Sequence, residues 1–263
     1  TGNAHVFKFD DMNHESPLNM NSVAIIVPYR EQHKQNRKRE LCVFTAHMKH
    51  MMNLLVSEHK IKTYHIYVIE QSDGKKFNRG LLLNIGAHLA NKTYDTLIFH
   101  DVDLIPENNL RYWYSDKPNK KQPIHIAGCW KDRYEGSSYF GGIVSFRRED
   151  FQTINGYPNS FWGWGGEDDS LRERCRLNGF RIEKVNEGEI YDMETDSNGL
   201  PMNLSQKLHL LKKYPEWKCE DKWEQRYIDR EIWDKNGLNQ ILPLYQIDDW
   251  ETIDSLTKIQ VRV

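Results

Sequence analysis

The sequence predicts an α/β fold with a doubly wound, Rossmann-like sheet, and two observations predict this class. Apolar, β-branched runs alternate with segments of helical period, in the order strand, helix, strand, helix, strand. Each run is apolar throughout, as expected of strands buried on both faces of a parallel sheet. With 263 residues, the chain has the length of one large domain or two small ones.

The first half of the chain contains the elements that define this order. Three apolar runs predict strands at residues 23–27, 64–69 and 96–100. Between them, apolar side chains recur at helical spacing and predict helices at residues 36–59 and 78–90. Ligands of such sheets bind beyond the carboxyl ends of the strands, so we expect the site at this edge.

The second half is richer in glycine and tryptophan and contains shorter elements. A helix is predicted at residues 167–178, and Gly179 is expected to end it. Short strands are predicted near residues 180–185 and 189–193, helical segments within 207–235, and a final strand over 257–263.

Charge and composition exclude several classes of protein. The chain has 36 Lys and Arg residues against 38 Asp and Glu residues, which argues against nucleic-acid binding. No apolar run is long enough to span a membrane, and no signal peptide is visible at Thr1. The cysteines are too far apart in sequence for a zinc knuckle, and free thiols are favoured over disulfides.

Two motifs carry the chemistry. Asp101 and Asp103 follow the third strand, and carboxylates two residues apart project the same way and can hold a divalent cation. Residues 161–169, FWGWGGEDD, combine glycines, tryptophans and three acids at a predicted helix start. Glycines permit a loop that moves, tryptophans can stack on a sugar, and an ionised carboxylate there can act as a general base.

Several segments together resemble the β-1,4-galactosyltransferase family. They occur in the family's order, cover roughly residues 22–196, and lie at residues 23–30, 77–79, 83–86, 100–106, 139–142, 153–159 and 161–169. The resemblance implies a GT-A glycosyltransferase with a mixed central sheet, which uses Mn²⁺ and UDP-galactose and inverts the sugar's configuration.

The resemblance also implies an organisation for the chain. Residues 1–21 would form an N-terminal arm and residues 22–263 the catalytic domain. Within that domain, residues 22–106 would form the nucleotide-binding half and residues 107–263 the acceptor-binding half. The expected partners are UDP-galactose and a sugar or glycoconjugate acceptor.

Site roles follow from the same resemblance. Glu167 and Asp168 would be catalytic, with Asp168 as the base. Trp164 would fold over the donor, and Tyr139 would favour galactose over N-acetylgalactosamine. The positions that match contacts to the nucleotide sugar are Pro28, Tyr29, Arg30, Phe77, Arg79, Asp101, Val102, Tyr139 and Trp164. The positions that match acceptor contacts are Gly166, Asp169, Arg226 and Tyr227.

The metal site departs from the family pattern. Asp103 matches a ligand, but the histidine that the family places in the window 191–196 is missing. Met193 and Asp196 reproduce the family spacing, whereas Asp192 and Glu194 form a rival pair. Because carboxylate ligands suit hard cations, Mn²⁺ or Mg²⁺ is expected.

Further departures affect the nucleotide loop and the location of the protein. Gln32 stands where the family has a second basic residue. The family's disulfide cysteines do not line up with these four, which weakens a Golgi-lumen assignment. We expect the Golgi lumen if the chain comes from a type II membrane protein, and the cytoplasm otherwise.

Two other functions stay open from the sequence. The WGGED pattern also resembles that of N-acetylgalactosaminyl- and N-acetylglucosaminyltransferases that build polysaccharides, so the donor could be UDP-N-acetylgalactosamine or UDP-N-acetylglucosamine. A non-catalytic sugar-binding module on a transferase fold is the alternative of another class. The intact acidic motifs argue against that module.

Overall fold

An eight-stranded mixed sheet forms the centre of the protein. The computed structural model describes residues 20–32, 35–130, 138–196 and 199–263, so most of the predicted N-terminal arm lies outside the described residues. The strands are β1 (Ser22–Tyr29), β2 (Thr63–Gln71), β3 (Thr96–His100), β4 (Leu104–Pro106), β5 (Ile124–His125), β6 (Ile143–Arg147), β7 (Glu183–Lys184), β8 (Ile190–Asp192), β9 (Gln246–Ile253) and β10 (Leu256–Arg262).

The sheet is mixed, because β6 and β9 run antiparallel to the other six strands. The order is β7-β5-β6-β3-β1-β2-β10-β9, in which β3, β1, β2 and β10 run parallel. β6 pairs antiparallel with β3, and β9 pairs antiparallel with β10. β4 and β8 form a separate antiparallel pair.

Six α-helices accompany the strands in the described residues. They are α1 (Arg37–Ser57), α2 (Arg79–Leu89), α3 (Arg148–Thr153), α4 (Glu167–Leu177), α5 (Leu204–Lys213) and α6 (Lys222–Ile232). The sheet draws strands from both sides of residue 106, so the two predicted halves share one core sheet.

The hydrophobic core lies on both faces of the sheet, because alternate residues of a strand point to opposite sides. Val23, Ile25 and Val27 of β1 pack with Phe44 and other residues of α1 on one face. Ala24 and Ile26 pack with residues of α2 on the other face. All these side chains are buried, and each larger one contributes roughly 1.5–3 kcal/mol.

The predicted central strands and helices are confirmed with small shifts of their ends. The α/β class and the mixed sheet are confirmed as well. The chain also forms β4, β5, β6 and β9, which the sequence did not predict. All four cysteines are free thiols; Cys42 is exposed and the other three are buried. No helix among the described residues is long and apolar enough to cross a bilayer.

Candidate active site

The carboxyl end of β3 places Asp101 and Asp103 at the edge of the sheet. The amide of Asp101 donates to the carbonyl of Gly142 over 2.9 Å, which holds the segment against the loop before β6. His100, the last residue of β3, is hydrogen-bonded to the Tyr114 hydroxyl over 2.8 Å. Burial lowers the pKa of His100 to about 4, so its imidazole is neutral near pH 7 and supports the strand end.

Arg79, at the start of α2, connects the two acidic motifs. Its Nε donates to Oδ1 of Asp101 over 2.7 Å, and its Nη1 donates to Oδ1 of Asp168 over 2.8 Å. Nη1 also lies 3.5 Å from Oε1 of Glu167. One guanidinium therefore brings acids from residues 101 and 168, far apart in sequence, into one cleft.

Three carboxylates, those of Asp101, Glu167 and Asp168, contact the guanidinium of Arg79. One positive charge cannot balance three negative ones. Burial raises the pKa of Asp168 well above its ordinary value, and the carboxylates of Glu167 and Asp101 add to the rise while Arg79 opposes it. Burial also raises the pKa of Glu167. A base whose pKa lies closer to the working pH can exchange a proton with a sugar hydroxyl, so Asp168 has the properties of a general base.

Two glycines let α4 begin against the neighbouring loop. Gly166 precedes the helix with φ of 107°, a left-handed conformation that favours glycine. A Cβ on Gly141 would overlap the Asp168 carboxylate, so this backbone can approach Asp168 only as glycine. The position of Asp168 therefore depends on the loop that contains Tyr139 and Gly141.

A buried amide network fixes the loop that leads into the tryptophan motif. Asn84 of α2 donates to the carbonyl of Tyr157 over 2.7 Å and to Oδ1 of Asn159 over 2.8 Å. Asn159 in turn donates to the carbonyl of Gly237 over 2.8 Å. Side-chain amides therefore tie α2 to the 157–159 loop and to the chain near residue 237.

A second acidic cluster lies beside Asp103. β4 and β8 pair with Leu104 opposite Asp192, and the amide of Met193 donates to the carbonyl of Asp103 over 2.8 Å. As a result, carboxylate oxygens of Asp103, Asp192 and Glu194 lie within 4.8 Å of one another. Three hard oxygen donors at this spacing fit a divalent cation such as Mn²⁺ or Mg²⁺.

The two other predicted metal ligands have different surroundings. The side chain of Met193 is half-buried and packs against the core. The carboxylate of Asp196 accepts from the amide of Leu200 over 3.0 Å within its own turn. The geometry therefore favours Asp192 and Glu194 over Met193 and Asp196 as partners of Asp103.

Two basic side chains face this second cluster. Nη1 of Arg37 lies 2.9 Å from Oδ2 of Asp103, and Nζ of Lys207 lies 2.6 Å from Oδ2 of Asp192. Burial alone would raise the pKa of Asp103, but the charges of Arg37 and Lys207 outweigh it and lower this pKa to about 2. Asp103 is therefore ionised near pH 7 and paired with Arg37.

The predicted nucleotide contacts divide between the core and the cleft. Pro28, Tyr29 and Val102 are buried in or beside the sheet. Arg30 is half-exposed, and its guanidinium carbon lies 5.3 Å from the centre of the Phe77 ring. Of these five residues, Arg30 and Phe77 are the two with partly exposed side chains.

The tryptophan motif borders an open cleft next to Arg30. The cleft is lined by Arg30, Glu31, Gln32, Gly74, Lys75, Lys76, Glu216 and Trp217. Trp164 is 43% exposed, its amide donates to the carbonyl of Trp217 over 2.6 Å, and its carbonyl accepts from the amide of Cys219 over 3.1 Å. The loop that carries Trp164 is therefore hydrogen-bonded to residues 217–219.

The predicted acceptor residues lie at the start of α4 and on α6. Oδ2 of Asp169 is 3.3 Å from Nη1 of Arg226, which joins the start of α4 to α6. Tyr227 follows on α6 and is 73% exposed, and Trp223 on the same helix is 68% exposed. An exposed aromatic face thus adjoins Asp168 through Asp169.

Comparisons with known proteins identify the family of this chain. A model described as the N-terminal region of glycosyl transferase group 7 matches residues 7–116, and one described as the N-terminal domain of galactosyltransferase matches residues 121–196. β-1,4-Galactosyltransferase 4 of Homo sapiens is 39% identical over 165 residues, which are 62% of this chain and 44% of that protein. The chain belongs to the β-1,4-galactosyltransferase family.

Other relatives in the family extend the comparison to most of the chain. β-1,4-Galactosyltransferase 7 of Drosophila melanogaster is 33% identical over 230 residues, which are 87% of this chain and 64% of that protein. A crystal structure of a mutant of the Drosophila enzyme, in complex with manganese, UDP-Gal and xylobiose, matches with a TM-score of 0.70 at 28% identity. The match covers 92% of this chain and 94% of that chain, and it confirms the GT-A fold.

The chain covers only part of the length of the relatives it matches. It spans 44% of the human protein and 64% of the Drosophila protein. The family models end at residue 196, so α5 and α6 lie beyond them.

Sequence reasoning missed three residues that contribute to the candidate site. Arg37 and Lys207 contact the second acidic cluster, and Gly141 makes room for Asp168. Gly141 stood within a segment that resembles the family, but nothing in the sequence paired it with Asp168. No signal distinguished Lys207 from its neighbours in a charged helix.

Proposed function

We propose that this chain transfers galactose from UDP-galactose to a hydroxyl of an acceptor sugar and forms a β-linkage, β-1,4 by family analogy. The observation that carries the proposal is the guanidinium of Arg79, which contacts both Asp101 and Asp168. It joins the end of β3, where a donor diphosphate and its cation are expected, to the acid that would deprotonate the acceptor. The Drosophila relative crystallised with manganese, UDP-Gal and xylobiose supports the same assignment.

Asp168 acts as the base in this mechanism. Its carboxylate takes the proton from the acceptor hydroxyl, and the oxygen attacks the anomeric carbon on the face opposite the departing UDP. Attack from that side inverts the configuration. Glu167, buried next to Arg79, holds the guanidinium in place and keeps Asp168 at the cleft.

Asp103, Asp192 and Glu194 would hold the divalent cation, for which Mn²⁺ is the first candidate and Mg²⁺ the second. Such a cation neutralises negative charge on the departing diphosphate. The three carboxylates keep their positions because β4 and β8 are paired and because Asp103 is ionised.

The donor pocket favours galactose in this proposal. The ring of Tyr139 packs edge-on against His125, with ring centres 5.4 Å apart. A bulky side chain fixed in this way leaves little room for an N-acetyl group at the donor's 2-position. Arg30 and Phe77 would bind the nucleotide, and Trp164 would cover the sugar and exclude water.

The acceptor is proposed to bind across the start of α4. Asp169 and Arg226 form an ion pair there, and the exposed ring of Tyr227 offers a flat surface for a sugar. Gly166 leaves the backbone free of a side chain at the same point. A glycan acceptor fits this mixture of polar and aromatic groups.

A UDP-release assay with Mn²⁺, run across UDP-sugars and sugar acceptors, tests the proposal. We expect UDP release that needs both metal and acceptor and is fastest with UDP-galactose. Asp168→Asn should keep UDP-galactose binding and lose about 10²–10⁴ in kcat, because the base is removed. Asp254→Asn, at an exposed carboxylate, is the matched control and should retain full activity. Full turnover by Asp168→Asn would remove Asp168 from the base role.

We also propose the Golgi lumen as the site of action. Family membership supports this location. The chain also contains two N-glycosylation sequons, Asn91-Lys92-Thr93 and Asn203-Leu204-Ser205, and both asparagines are exposed. Expression through a secretory pathway should give a chain whose mass falls on enzymatic removal of N-glycans. A chain that stays unglycosylated there would contradict the proposal.

A further inference from the structure

Lys207 is an unexpected component of the proposed metal site. Its ammonium lies 2.6 Å from Oδ2 of Asp192 and 2.5 Å from Oε2 of Glu194. The lysine side chain is only 9% exposed, and the two carboxylates are 15% and 11% exposed. The helix that carries Lys207, α5, lies beyond residue 196, where the family models end.

The start of α5 is fixed, so the position of Lys207 is well defined. Asn203 and Gln206 form a reciprocal capping box at the first turn of the helix. The amide of Met202, just before the cap, donates to the carbonyl of Glu194 over 3.2 Å. The backbone that carries Lys207 is therefore attached to the backbone that carries its acidic partners.

The second basic residue of the cluster is held differently. Nη1 of Arg37 contacts Asp103 over 2.9 Å and Glu40 over 2.7 Å, so the guanidinium has a partner outside the cluster. An arginine fork is rigid and always charged, whereas a lysine ammonium is a point charge on a flexible stem. Lys207 can thus leave its acids by rotating its side chain, and Arg37 can keep Glu40 throughout.

Charge and geometry make Lys207 a competitor of a divalent cation. A cation coordinated by Asp192 and Glu194 needs the carboxylate oxygens that accept hydrogen bonds from the ammonium. Both positive charges cannot lie within contact of the same oxygens without strong mutual repulsion. Binding of the cation therefore requires the ammonium to move away.

We propose that Lys207 and a divalent cation exchange at Asp192 and Glu194, so that Lys207 weakens cation binding by this chain. The inference rests on the proposed metal-dependent transfer, since it concerns the same three carboxylates. It assigns Lys207 a role in setting how much Mn²⁺ the protein needs. Lys207 neither coordinates the metal nor transfers a proton in this role.

Direct titration with Mn²⁺ alone, followed by the electron paramagnetic resonance signal of the free ion, tests the exchange without any turnover. Lys207→Met removes the charge and keeps the apolar stem, so it should bind Mn²⁺ roughly tenfold or more tightly than the wild type. Lys207→Arg retains a cation and should bind no more tightly than the wild type. Lys212→Met, on an exposed position of the same helix, makes the same charge change away from the cluster and should leave the affinity unchanged.

Each result decides one of the two proposals. Equal or weaker Mn²⁺ binding by Lys207→Met would overturn the exchange and leave the metal-dependent function intact. A lack of Mn²⁺ binding by both the wild type and Lys207→Met would overturn the exchange and the metal assignment together. Thermal unfolding gives a second readout: Mn²⁺ should raise the Tm of Lys207→Met more than that of the wild type. An equal rise in Tm would contradict the exchange.

Discussion

Arg79 donates from Nη1 to Oδ1 of Asp168 over 2.8 Å, so the proposed base is paired with a cation that also contacts the end of β3. The pair has two consequences. It opposes the rise in the Asp168 pKa that burial causes, and it makes the availability of the base depend on where the guanidinium points. Both consequences can be measured.

Replacement of Arg79 should move the acid limb of the pH profile to higher pH. Because Arg79 lowers the Asp168 pKa against the effect of burial, Arg79→Met removes that opposition and raises the pKa further. The ionised base is then reached only at higher pH. Profiles of kcat/KM against pH should show the shift, and Arg79→Lys, which keeps a charge, should show a smaller one. If the acid limb is unchanged in Arg79→Met, the ionisation of Asp168 does not determine that limb.

Stability should respond to Asp168 in a defined direction. A carboxyl whose folded pKa is raised stabilises the fold below its unfolded pKa, and this contribution is lost as pH rises through the folded pKa. The side-chain amide in Asp168→Asn does not ionise, so this variant does not lose that stability as pH rises. We expect the free energy of unfolding of Asp168→Asn to exceed that of the wild type increasingly as pH rises from about 4. Urea denaturation at several pH values measures the difference, and a constant difference would contradict the raised pKa.

Gly141 should be sensitive to a single methyl group. A Cβ at this position would overlap the carboxylate of Asp168, so Gly141→Ala must displace the proposed base. A displacement on the order of 1 Å at a reacting group can cost about 10²-fold in rate. We expect kcat to fall by roughly that factor while UDP affinity stays near the wild-type value. A kcat of Gly141→Ala equal to that of the wild type would argue against the contact.

The central sheet could be predicted because its signals are local. β1 and β3 are continuous apolar runs, and α1 and α2 repeat apolar residues at helical spacing, so each element reveals itself within its own segment. β9 gave no such signal, because its sequence QIDDWETI is polar and all its residues are exposed. It forms a strand only because β10 offers it a hydrogen-bonding edge.

The site could be predicted only in part for a related reason. Asp101 and Asp103 follow an apolar strand, and the strand-end rule for α/β sheets placed them at the ligand edge. The partners of these acids come from distant segments through tertiary contacts that no spacing encodes. Lys207 reaches Asp192 only because the Asn203 cap sets the start of α5. The choice between Asp192 with Glu194 and Met193 with Asp196 likewise depends on how β8 pairs with β4.

Tyr227 should affect the acceptor and not the donor. Its ring is 73% exposed on α6, and it follows Arg226, which pairs with Asp169 at the start of α4. Tyr227→Ala removes a stacking surface, so the acceptor KM should rise about tenfold with little change in the KM for UDP-galactose. Trp250→Ala, an exposed aromatic on β9 far along the sheet, serves as the control. A rise in the KM for UDP-galactose alone would indicate that Tyr227 contacts the donor and not the acceptor.

Among the helix contacts around the site, the ion pair between Arg174 and Asp229 should contribute most to the free energy of unfolding. The guanidinium contacts both carboxylate oxygens and also donates to the carbonyls of Asn155 and Gly156, with the two side chains only 1% and 2% exposed. Arg174→Met leaves a buried carboxylate without its cation and should cost about 3–5 kcal/mol in the free energy of unfolding. Arg176→Met, which breaks an exposed pair with Glu173 on the same helix, should leave the urea midpoint nearly unchanged. The double variant Arg174→Met with Asp229→Leu should recover part of the loss, because no unpaired charge remains buried. Equal midpoints for Arg174→Met and Arg176→Met would show that the buried pair does not join α4 to α6 as the geometry requires.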